Sequence, residues 1–515
     1  MDTVRIMEAS EVASGSIYLT LQNMFTNLIG IFGLTYLARV ITQEQMGMLT
    51  ALTLVNSFIP LVFDFGLASS LPKFVSGLKG RGEDASAHIL ATLVFKIPAT
   101  LLPCLVLFIF SADVSSVLFG VADRYDLIRL VALDSLISAF ALILSSTLLG
   151  AGRMRRIAVS GVSSTSTRWL VIVLLLMSGY GFYGTVIGWI AGDLVLLLLY
   201  AIASIGLLKH GENLFRRSVS LIPSILKFSW PLFAAAIVTF LYTWYDRAII
   251  LVFLPLADLG IYDISYKAFT VLASLATALG SALYPFYGMA YGKKDHKVIA
   301  SGIKRATRYA TIMIFPLTLG LLSTANPVIT LFAGQQYESG WSILAILAAF
   351  GLVYGLLPAF TGLLVIYEKT KTVLLLSLVP VASSLVLLPL LWVSGLNGLA
   401  VMRGVSLLVT LLLTVFFLSK IVSIEIDKQA MFKALISSTI MAVVVMAAQQ
   451  VHYSLILFPV YVLIGAATYF SCIRFLKVFN ESDAQLLEQI IGKRKTAILA
   501  KVLGYNKQDS ITQHQ

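Results

Sequence analysis

Residues 399–418 read LAVMRGVSLLVTLLLTVFFL, a run in which Arg403 is the one charged residue. At 1.5 Å per residue, an α-helix needs about 20 mostly apolar residues to cross the hydrocarbon core of a bilayer. The run is continuously apolar rather than alternating, so it predicts a transmembrane helix and not a strand of a barrel. An arginine inside such a helix is costly to insert, which makes Arg403 a candidate functional residue.

The whole chain shares this apolar character. Of its 515 residues, 58% are hydrophobic and 12% are charged, whereas soluble domains average about 45–50% and about 25%. So little charge cannot cover a water-soluble particle of this size, and we predict an integral membrane protein. Residues 1–16 carry Arg5, Glu8 and Glu11 and lack a small-residue cleavage site, so we expect the first hydrophobic segment to be retained.

Apolar segments of spanning length recur along the chain, and we count about fourteen of them. Backbone groups inside a bilayer must be hydrogen-bonded within the protein, so continuous segments of this length are expected to be helices. The sequence therefore predicts an all-α polytopic membrane protein. The approximate limits of the segments are residues 13–37, 47–71, 90–110, 127–149, 158–177, 183–207, 229–252, 259–287, 310–332, 341–367, 373–393, 399–418, 431–451 and 454–476.

Lysine and arginine are concentrated in every second connection between these segments. The even-numbered connections hold clusters such as Arg153, Arg155 and Arg156, whereas the odd-numbered ones hold little beyond Arg39 and Arg124. Because basic connections stay in the cytoplasm, we predict that both termini are cytoplasmic in a multi-pass protein of the plasma membrane. The net charge of +12 then reflects topology and does not indicate a nucleic-acid partner. No G-x-x-x-x-G-K-[ST] phosphate loop is present, and we predict no enzymatic activity.

An internal repeat divides the chain. QEQMGML at 43–49 is similar to LADLGIY at 256–262, and LFG at 118–120 is similar to LFAG at 331–334. Both pairs are separated by about 213 residues, which equals six predicted spans. An even number of spans gives both copies the same orientation, as in parallel repeats. Two such lobes around a central cleft that opens to either side are typical of a transporter.

The repeat predicts the domain organisation. Six helices form each lobe, a further pair of helices follows, and the chain ends in an amphipathic segment with a capping-box sequence and a basic end. The predicted domains are an N-terminal six-helix lobe at 1–210, a C-terminal six-helix lobe at 211–422, transmembrane helices 13 and 14 within 423–478, and a cytoplasmic amphipathic tail at 479–515.

Five stretches in this order resemble a known family. They are LARVITQEQMGML (37–49), DFGLASSLPKFV (64–75), YDRAIILVFLPLADLGIYDISYKAF (245–269), LYPFYG (283–288) and LFAGQQYESGWSILAILA (331–348). The chain resembles the polysaccharide and lipid-linked oligosaccharide flippases of the MOP (multidrug/oligosaccharidyl-lipid/polysaccharide) exporter superfamily. The resemblance implies a MATE-like fold and transfer of a saccharide on a polyprenyl phosphate or diphosphate to the outer leaflet. It implies membrane lipid and this lipid-linked substrate as partners, with enzymes of glycan assembly as further candidates and no cofactor.

Ionisable side chains at membrane depth are candidate functional residues. Basic groups suit an anionic headgroup, because arginine offers phosphate a fork of two donors and lysine a point charge. Aromatic rings beside them would stack on sugar faces. The predicted cavity residues are Arg168, Lys267, Arg247, Arg403, Lys96, Tyr242, Trp244 and Tyr266. The acids predicted to couple transport to an ion or to form ion pairs are Asp64, Asp193, Asp246 and Asp134.

Two alternatives remain open at this point. The charges can be structural pairs, with Asp193 neutralising Arg168 and Asp246 neutralising Lys267, while the adjacent Asp246 and Arg247 are expected to point apart and not to pair. The alternative function is a cation-coupled multidrug exporter of the MATE type. That alternative is expected to have twelve spans and an acid in the first span, where this sequence has none. The histidines lack ligand spacing, so we assign no metal site.

Overall fold

The structure is a computed structural model, and it describes residues 2–208, 211, 213–281, 284–292 and 296–478. Every regular element in this part of the chain is a helix. The predicted tail at 479–515 lies outside the described residues. Helices of the first half are α1 (Asp2–Val40), α2 (Gln43–Val62), α3 (Leu67–Gly80), α4 (Ser86–Ile109), α5 (Ser111–Phe119), α6 (Tyr125–Gly150), α7 (Met154–Met177) and α8 (Tyr183–Ser204).

The second half continues with eleven α-helices in its described part. They are α9 (Leu214–Phe253), α10 (Leu256–Ser281), α11 (Tyr284–Gly292), α12 (His296–Ser323), α13 (Ala325–Ala333), α14 (Trp341–Ala349), α15 (Gly351–Ile366), α16 (Thr370–Leu387), α17 (Pro389–Ser419), α18 (Lys428–Val451) and α19 (Phe458–Phe475). Short 3-10 turns precede α6, α14 and α19.

Most of these helices can cross a membrane. By length and composition, 12 helices of the described chain qualify, and the bent pair Gln335–Ala349 with Gly351–Ile366 raises the number to 13. The remaining predicted span corresponds to α10, which contains Asp258, Asp263 and Lys267. The prediction of an all-α multi-pass membrane protein is confirmed, whereas the count of fourteen spans stays a prediction.

The predicted second span is broken in the structure. Instead of one helix over 47–71, α2 ends at Val62 and α3 begins at Leu67. Pro60 lacks an N–H group for the helix ladder, and Gly66 adopts φ +76°, a left-handed conformation that favours glycine. These two residues set the break.

Contacts between Cα atoms divide the chain into two compact units, Met1–Asp263 and Ile264–Gln515. In the first unit, α7 packs on both α8 and α1, and α6 packs on α8, α3 and α4. In the second unit, α12 packs on α18, α16 packs on α17, and α18 packs on α19. The lobe limits at residues 210 and 422 stay a prediction.

The order of elements repeats along the chain. Helix α1 ends at Val40 and α2 begins at Gln43, while α9 ends at Phe253 and α10 begins at Leu256. Short helix α5 and the 3-10 turn after it recur as α13 and its 3-10 turn. The offset between these boundaries is the offset of the sequence repeat, so the repeated sequences form the same elements.

Within the first unit, α2 crosses the beginning of α10 in close backbone contact. A Cβ added at Gly47 would lie 1.8 Å from the carbonyl oxygen of Leu256, and one added at Gly260 would lie 2.1 Å from that of Gln43. A real Cβ cannot come this close to a carbonyl oxygen, so only glycine fits at both positions. The approach depends on these two residues.

Candidate functional site

The structure places the predicted basic residues in both units. Each lies on a helix, so the backbone is rigid where the side chain departs. Lys96, Arg168 and Arg247 belong to the first unit, on α4, α7 and α9, and Lys267 and Arg403 belong to the second, on α10 and α17.

Lys96 lies in a fully enclosed ion pair. Its Nζ is 2.8 Å from Asp64 Oδ1 and 3.1 Å from the carbonyl oxygen of Pro60, and its side chain is 0% exposed. Asp64 Oδ2 also accepts a hydrogen bond from the N–H of Ala68 at the start of α3. Lys96 therefore joins α4 to the break between α2 and α3.

Arg168 on α7 forms a second ion pair, with Asp193 on α8. The guanidinium of Arg168 donates to Asp193 Oδ1, and the Arg168 side chain remains 34% exposed. The predicted pairing of Asp193 with Arg168 is thus found. Among the described residues, the buried Nε of Arg168 has no hydrogen-bond partner, so the side chain keeps an unused donor.

Asp134 on α6 is buried next to polar side chains. Its Oδ2 accepts from Asn56 Nδ2 at 2.8 Å, while Asn56 Oδ1 accepts from the hydroxyl of Ser135 at 2.8 Å. Asp134 is 0% exposed, and its Oδ1 has no hydrogen-bond partner in the described part of the chain. A buried carboxylate oxygen without a hydrogen-bond donor destabilises the folded protein. Binding of a proton or a cation at Asp134 would remove this cost.

Helix α8 reaches the Arg168 side chain through small residues. A Cβ at Gly192 would lie 2.7 Å from Cβ of Arg168, and one at Gly188 would lie 2.3 Å from Cγ1 of Ile172. The two glycines let α8 approach α7 closely enough for Asp193 to meet Arg168. The position of this ion pair is therefore determined by backbone packing.

Arg247 is held by two acids. Its Nε lies 2.6 Å from Asp263 Oδ1, and its Nη1 lies 3.4 Å from Asp246 Oδ1. The prediction that Asp246 and Arg247 do not pair is wrong. The Asp246 carboxylate turns back to accept from the N–H of Arg247, and the guanidinium turns back to the carbonyl oxygen of Thr243, so the adjacent side chains meet on one side of α9.

The surroundings of Arg247 are completed by other side chains. The hydroxyl of Tyr262 donates to Asp246 Oδ2 at 2.8 Å, and Thr50 donates to Asp263 Oδ2 at 3.1 Å. The guanidinium carbon of Arg247 lies 5.2 Å from the ring centroid of Trp244, within the range of a cation–π contact. The Arg247 side chain is 6% exposed, so this network is closed to solvent.

In the second unit, Arg403 is bound by tyrosines. Its Nη2 donates to the hydroxyl of Tyr266 at 2.8 Å and its Nε to that of Tyr354 at 3.1 Å. The guanidinium carbon also lies 4.6 Å from the ring centroid of Tyr266. Arg403 is 1% exposed. Tyr354 packs edge-on against Phe269 at 4.8 Å, so an aromatic group fixes the guanidinium at membrane depth.

The remaining predicted residues are less enclosed. Lys267 is half-buried on α10, next to Tyr266, and Tyr242 and Trp244 are half-buried on α9. Among the described residues, no three His, Cys, Asp or Glu side chains lie close enough together to hold a metal ion.

Comparison with known proteins identifies the family. A family model described as polysaccharide biosynthesis protein matches residues 36–341, more than half of the chain. The chain belongs to this family of polysaccharide biosynthesis proteins. The resemblance predicted from the five stretches of sequence is thereby confirmed.

Curated relatives agree with the assignment, and solved structures show a similar fold. The chain is 24% identical to the probable low-salt glycan biosynthesis flippase Agl15 of Haloferax volcanii, over 84% of this chain and 89% of that protein. It is 23% identical to the succinoglycan biosynthesis transport protein ExoT of Rhizobium meliloti, over 62% of this chain and 63% of that protein. Its fold is similar to that of the lipid II flippase MurJ, with a TM-score of 0.72 at 16% identity over 92% of this chain and 100% of that one. The fold is also similar to that of a MATE multidrug transporter of the MOP superfamily in an inward-facing conformation. The TM-score is 0.60 at 13% identity, over 78% of this chain and 97% of that one.

Several residues of the site in this polysaccharide biosynthesis protein were not predicted. Asp263, Tyr262 and Tyr354 all contact predicted residues, yet none was a candidate. Asp263 lies near the beginning of the predicted span at 259–287, where an acidic residue is less unusual than in the middle of a span. The internal repeat could have indicated Asp263 as a candidate, because this residue follows directly after the repeated stretch at 256–262.

Proposed function

We propose that this protein is a flippase that moves an oligosaccharide linked to a polyprenyl phosphate or diphosphate from the cytoplasmic to the outer leaflet, by alternating access. The product would serve the assembly of cell-surface polysaccharide or glycoprotein. Membership of the polysaccharide biosynthesis family supports this proposal, as do relatives named as a glycan flippase and a succinoglycan transport protein. The protein is a transporter and not an enzyme.

The observation that carries the proposal is the presence of arginine at membrane depth in both units. A charged side chain within a span costs at least about 2.5–3.5 kcal/mol on insertion scales, so its retention calls for a use. An anionic headgroup leaving water supplies one, because a fixed guanidinium replaces part of its hydration. Arg168 in the first unit is held by Asp193 and keeps 34% of its side chain exposed, so it presents such a group, while Arg403 in the second unit is held by tyrosines at 1% exposure.

The predicted cavity residues divide by exposure into two roles. We assign direct contact with the headgroup to Arg168, whose side chain is 34% exposed, and to the half-buried Lys267. Tyr242, Trp244 and Tyr266 are assigned to the sugar, because an aromatic face packs against the apolar face of a sugar ring. Lys96 and Arg247, at 0% and 6% side-chain exposure, are assigned to supporting ion pairs, and Arg403, at 1% exposure, is assigned to holding Tyr266 in place.

For energy coupling we favour Asp134 among the four acids. Asp64 pairs with Lys96, Asp193 with Arg168, and Asp246 with Arg247 and Tyr262. Asp134 accepts one hydrogen bond and keeps one buried oxygen without a donor in the described structure. Binding a proton or a small cation there satisfies that oxygen, and this change of charge would be coupled to transport.

We further propose that both termini lie in the cytoplasm and that the protein works in the plasma membrane, on the strength of the basic even-numbered connections. Enzymes of glycan assembly are proposed as partners, since they would supply and consume the lipid-linked saccharide.

The experiment that tests the substrate class uses purified protein in proteoliposomes. We expect a fluorescent lipid-linked oligosaccharide, added to one leaflet, to become accessible to a membrane-impermeant glycosidase on the other side only when the protein is present. A cationic fluorescent drug is the control substrate. Transport of the drug without transfer of the saccharide would reject the flippase and support the multidrug exporter.

A further inference from the structure

A pocket between the ends of α7 and α8, away from the charges described above, has no role in the proposed function. Its volume is about 690 Å³. Arg155, Arg156 and Ser160 form a polar end, and Val159, Ile202 and Ile205 form an apolar wall. We propose that this pocket binds an anionic phospholipid of the surrounding bilayer, with its phosphate at the two arginines and an acyl chain along the wall.

The two arginines at the polar end, Arg155 and Arg156, use few of their N–H donors within the described chain. Arg156 donates one hydrogen bond to the carbonyl oxygen of Ala203 at 3.0 Å, and Arg155 faces the ring of Tyr18 at 5.9 Å. Neither arginine forms an ion pair with a carboxylate of the described chain. A guanidinium carries five N–H donors in a fork that matches phosphate. Most of the donors of Arg155 and Arg156 therefore remain for a ligand.

The neighbouring Arg153 adds to the positive charge. Its guanidinium donates to the carbonyl oxygens of Ala203 and Ile205 and so ties the beginning of α7 to the end of α8. Burial, and next the charge of Arg156, lower the pKa of Arg153. Three cations close together at the ends of two helices repel one another, and an anion bound among them relieves that repulsion.

The location and the wall favour a lipid over a soluble anion. Helix α7 begins at Met154 and α8 ends at Ser204, and both qualify as membrane spans, so the pocket lies where the spans meet the headgroup region. Val159, Ile202 and Ile205 are 58%, 62% and 73% exposed. Such an apolar surface is unfavourable in water but fits an acyl chain, and basic pockets between helices on the cytoplasmic side are known binding sites for anionic headgroups.

The test is a binding measurement on the full-length protein in detergent, with bound lipid counted by native mass spectrometry and thermal stability followed in parallel. The variants are Arg155→Ala alone, which leaves the bond from Arg156 to Ala203, and Arg155→Ala with Arg156→Ala. The matched control is Arg216→Ala with Arg217→Ala, which removes the same charge from exposed positions on α9.

We expect phosphatidylglycerol to bind and to raise the unfolding temperature of the wild type, and phosphatidylcholine to do neither. At about 1 kcal/mol for each basic residue, affinity for phosphatidylglycerol should fall about fivefold in Arg155→Ala and about thirtyfold in the double variant. The control pair should bind as the wild type does. Equal affinity in Arg155→Ala, the double variant and the wild type would overturn the proposal.

Two further ligands, inorganic phosphate and polyprenyl phosphate, test whether the pocket binds a phospholipid, a soluble anion or the transport substrate. Inorganic phosphate at the same concentration should give no stabilisation, and if it stabilises as well as phosphatidylglycerol, the pocket binds a soluble anion and the lipid proposal falls. If polyprenyl phosphate binds and phosphatidylglycerol does not, the pocket belongs to the transport substrate and the proposal is likewise rejected. The readout is binding, so failure of this proposal leaves the flippase proposal intact.

Discussion

The hydroxyl of Thr50 donates to Asp263 Oδ2 at 3.1 Å, and these residues are 213 positions apart, which is the offset of the internal repeat. Gly47 and Gly260 are related by the same offset, and each approaches a backbone carbonyl of the other helix. The crossing of α2 with the start of α10 is therefore a contact between equivalent elements of the two repeats. Asp263 accepts the hydrogen bond from Thr50 through Oδ2 and another from Nε of Arg247 through Oδ1. The crossing is therefore connected to the ion pair of Arg247.

The crossing should tolerate no side chain at Gly47. We expect Gly47→Ala to lower the free energy of unfolding by about 1–3 kcal/mol, the usual cost of overpacking, because its Cβ would meet the Leu256 carbonyl. Thermal unfolding in detergent measures this. Gly77→Ala on α3 is the control, since nothing lies within 4 Å of a Cβ there. Equal stability of Gly47→Ala and Gly77→Ala would contradict the packing.

Arg247 should stabilise two buried acids at once, Asp246 and Asp263. Removing one partner of a buried ion pair costs about 3–5 kcal/mol because the other charge stays buried. Asp263→Asn leaves Arg247 paired with Asp246, whereas Arg247→Met removes the cation from both buried acids. We therefore expect thermal unfolding in detergent to show a larger loss of stability in Arg247→Met than in Asp263→Asn. An equal or smaller loss in Arg247→Met would contradict the shared ion pairing.

Asp134 should connect transport to an ion gradient. We expect Asp134→Asn to keep saccharide transfer down a substrate gradient but to lose its acceleration by an imposed proton or sodium gradient, because asparagine is neutral in every state. Flux in proteoliposomes with and without each gradient measures this. Asp113→Asn, at an exposed position on α5, is the control. Acceleration that persists in Asp134→Asn would remove Asp134 from the coupling mechanism.

Asp427 should make stability depend on pH. Burial acts to raise its pKa, but the hydrogen bond from Ala430 and the pair with Arg308 at 2.5 Å outweigh burial and leave the pKa lowered. A lowered pKa stabilises the fold above the ordinary value of about 3.9, and this contribution is lost as pH falls through the folded-state pKa.

We thus expect Asp427→Asn to lower the unfolding temperature at pH 7 and to weaken its fall below pH 4. Thermal unfolding across that pH range is the measurement, with Asp113→Asn as the exposed control. If Asp427→Asn destabilises the protein equally at neutral and acidic pH, its charge is not the cause.

The helices and one of the ion pairs could be predicted from sequence. A bilayer forces apolar segments to be helical, so their order was read directly from the chain. Asp193 and Arg168 were paired because both lie mid-span on consecutive helices. The break between Val62 and Leu67 is not evident from the sequence, since the apolar run continues through Pro60, and the positive φ angles of Phe65 and Gly66 appear only in the structure.

Contacts made at helix crossings could not be predicted in this way. Tyr354 meets Arg403 from 49 positions away, and no local pattern encodes that distance. Asp263 receives its function from Thr50 and Arg247, which lie on two other helices. The adjacent Asp246 and Arg247 were expected to point apart because helical spacing was considered without the backbone groups that draw both side chains to one side.

The central claim is that basic side chains at membrane depth carry an anionic headgroup across the bilayer. Its most direct test is transfer of a labelled lipid-linked oligosaccharide in proteoliposomes by the wild type, Arg168→Ala and Lys267→Ala, with Arg216→Ala as an exposed control and protein insertion verified for each. We predict that both span variants lose transfer while remaining folded in the membrane, that Arg168→Lys retains part of it, and that the control is fully active. Full activity in Arg168→Ala and Lys267→Ala would contradict the account.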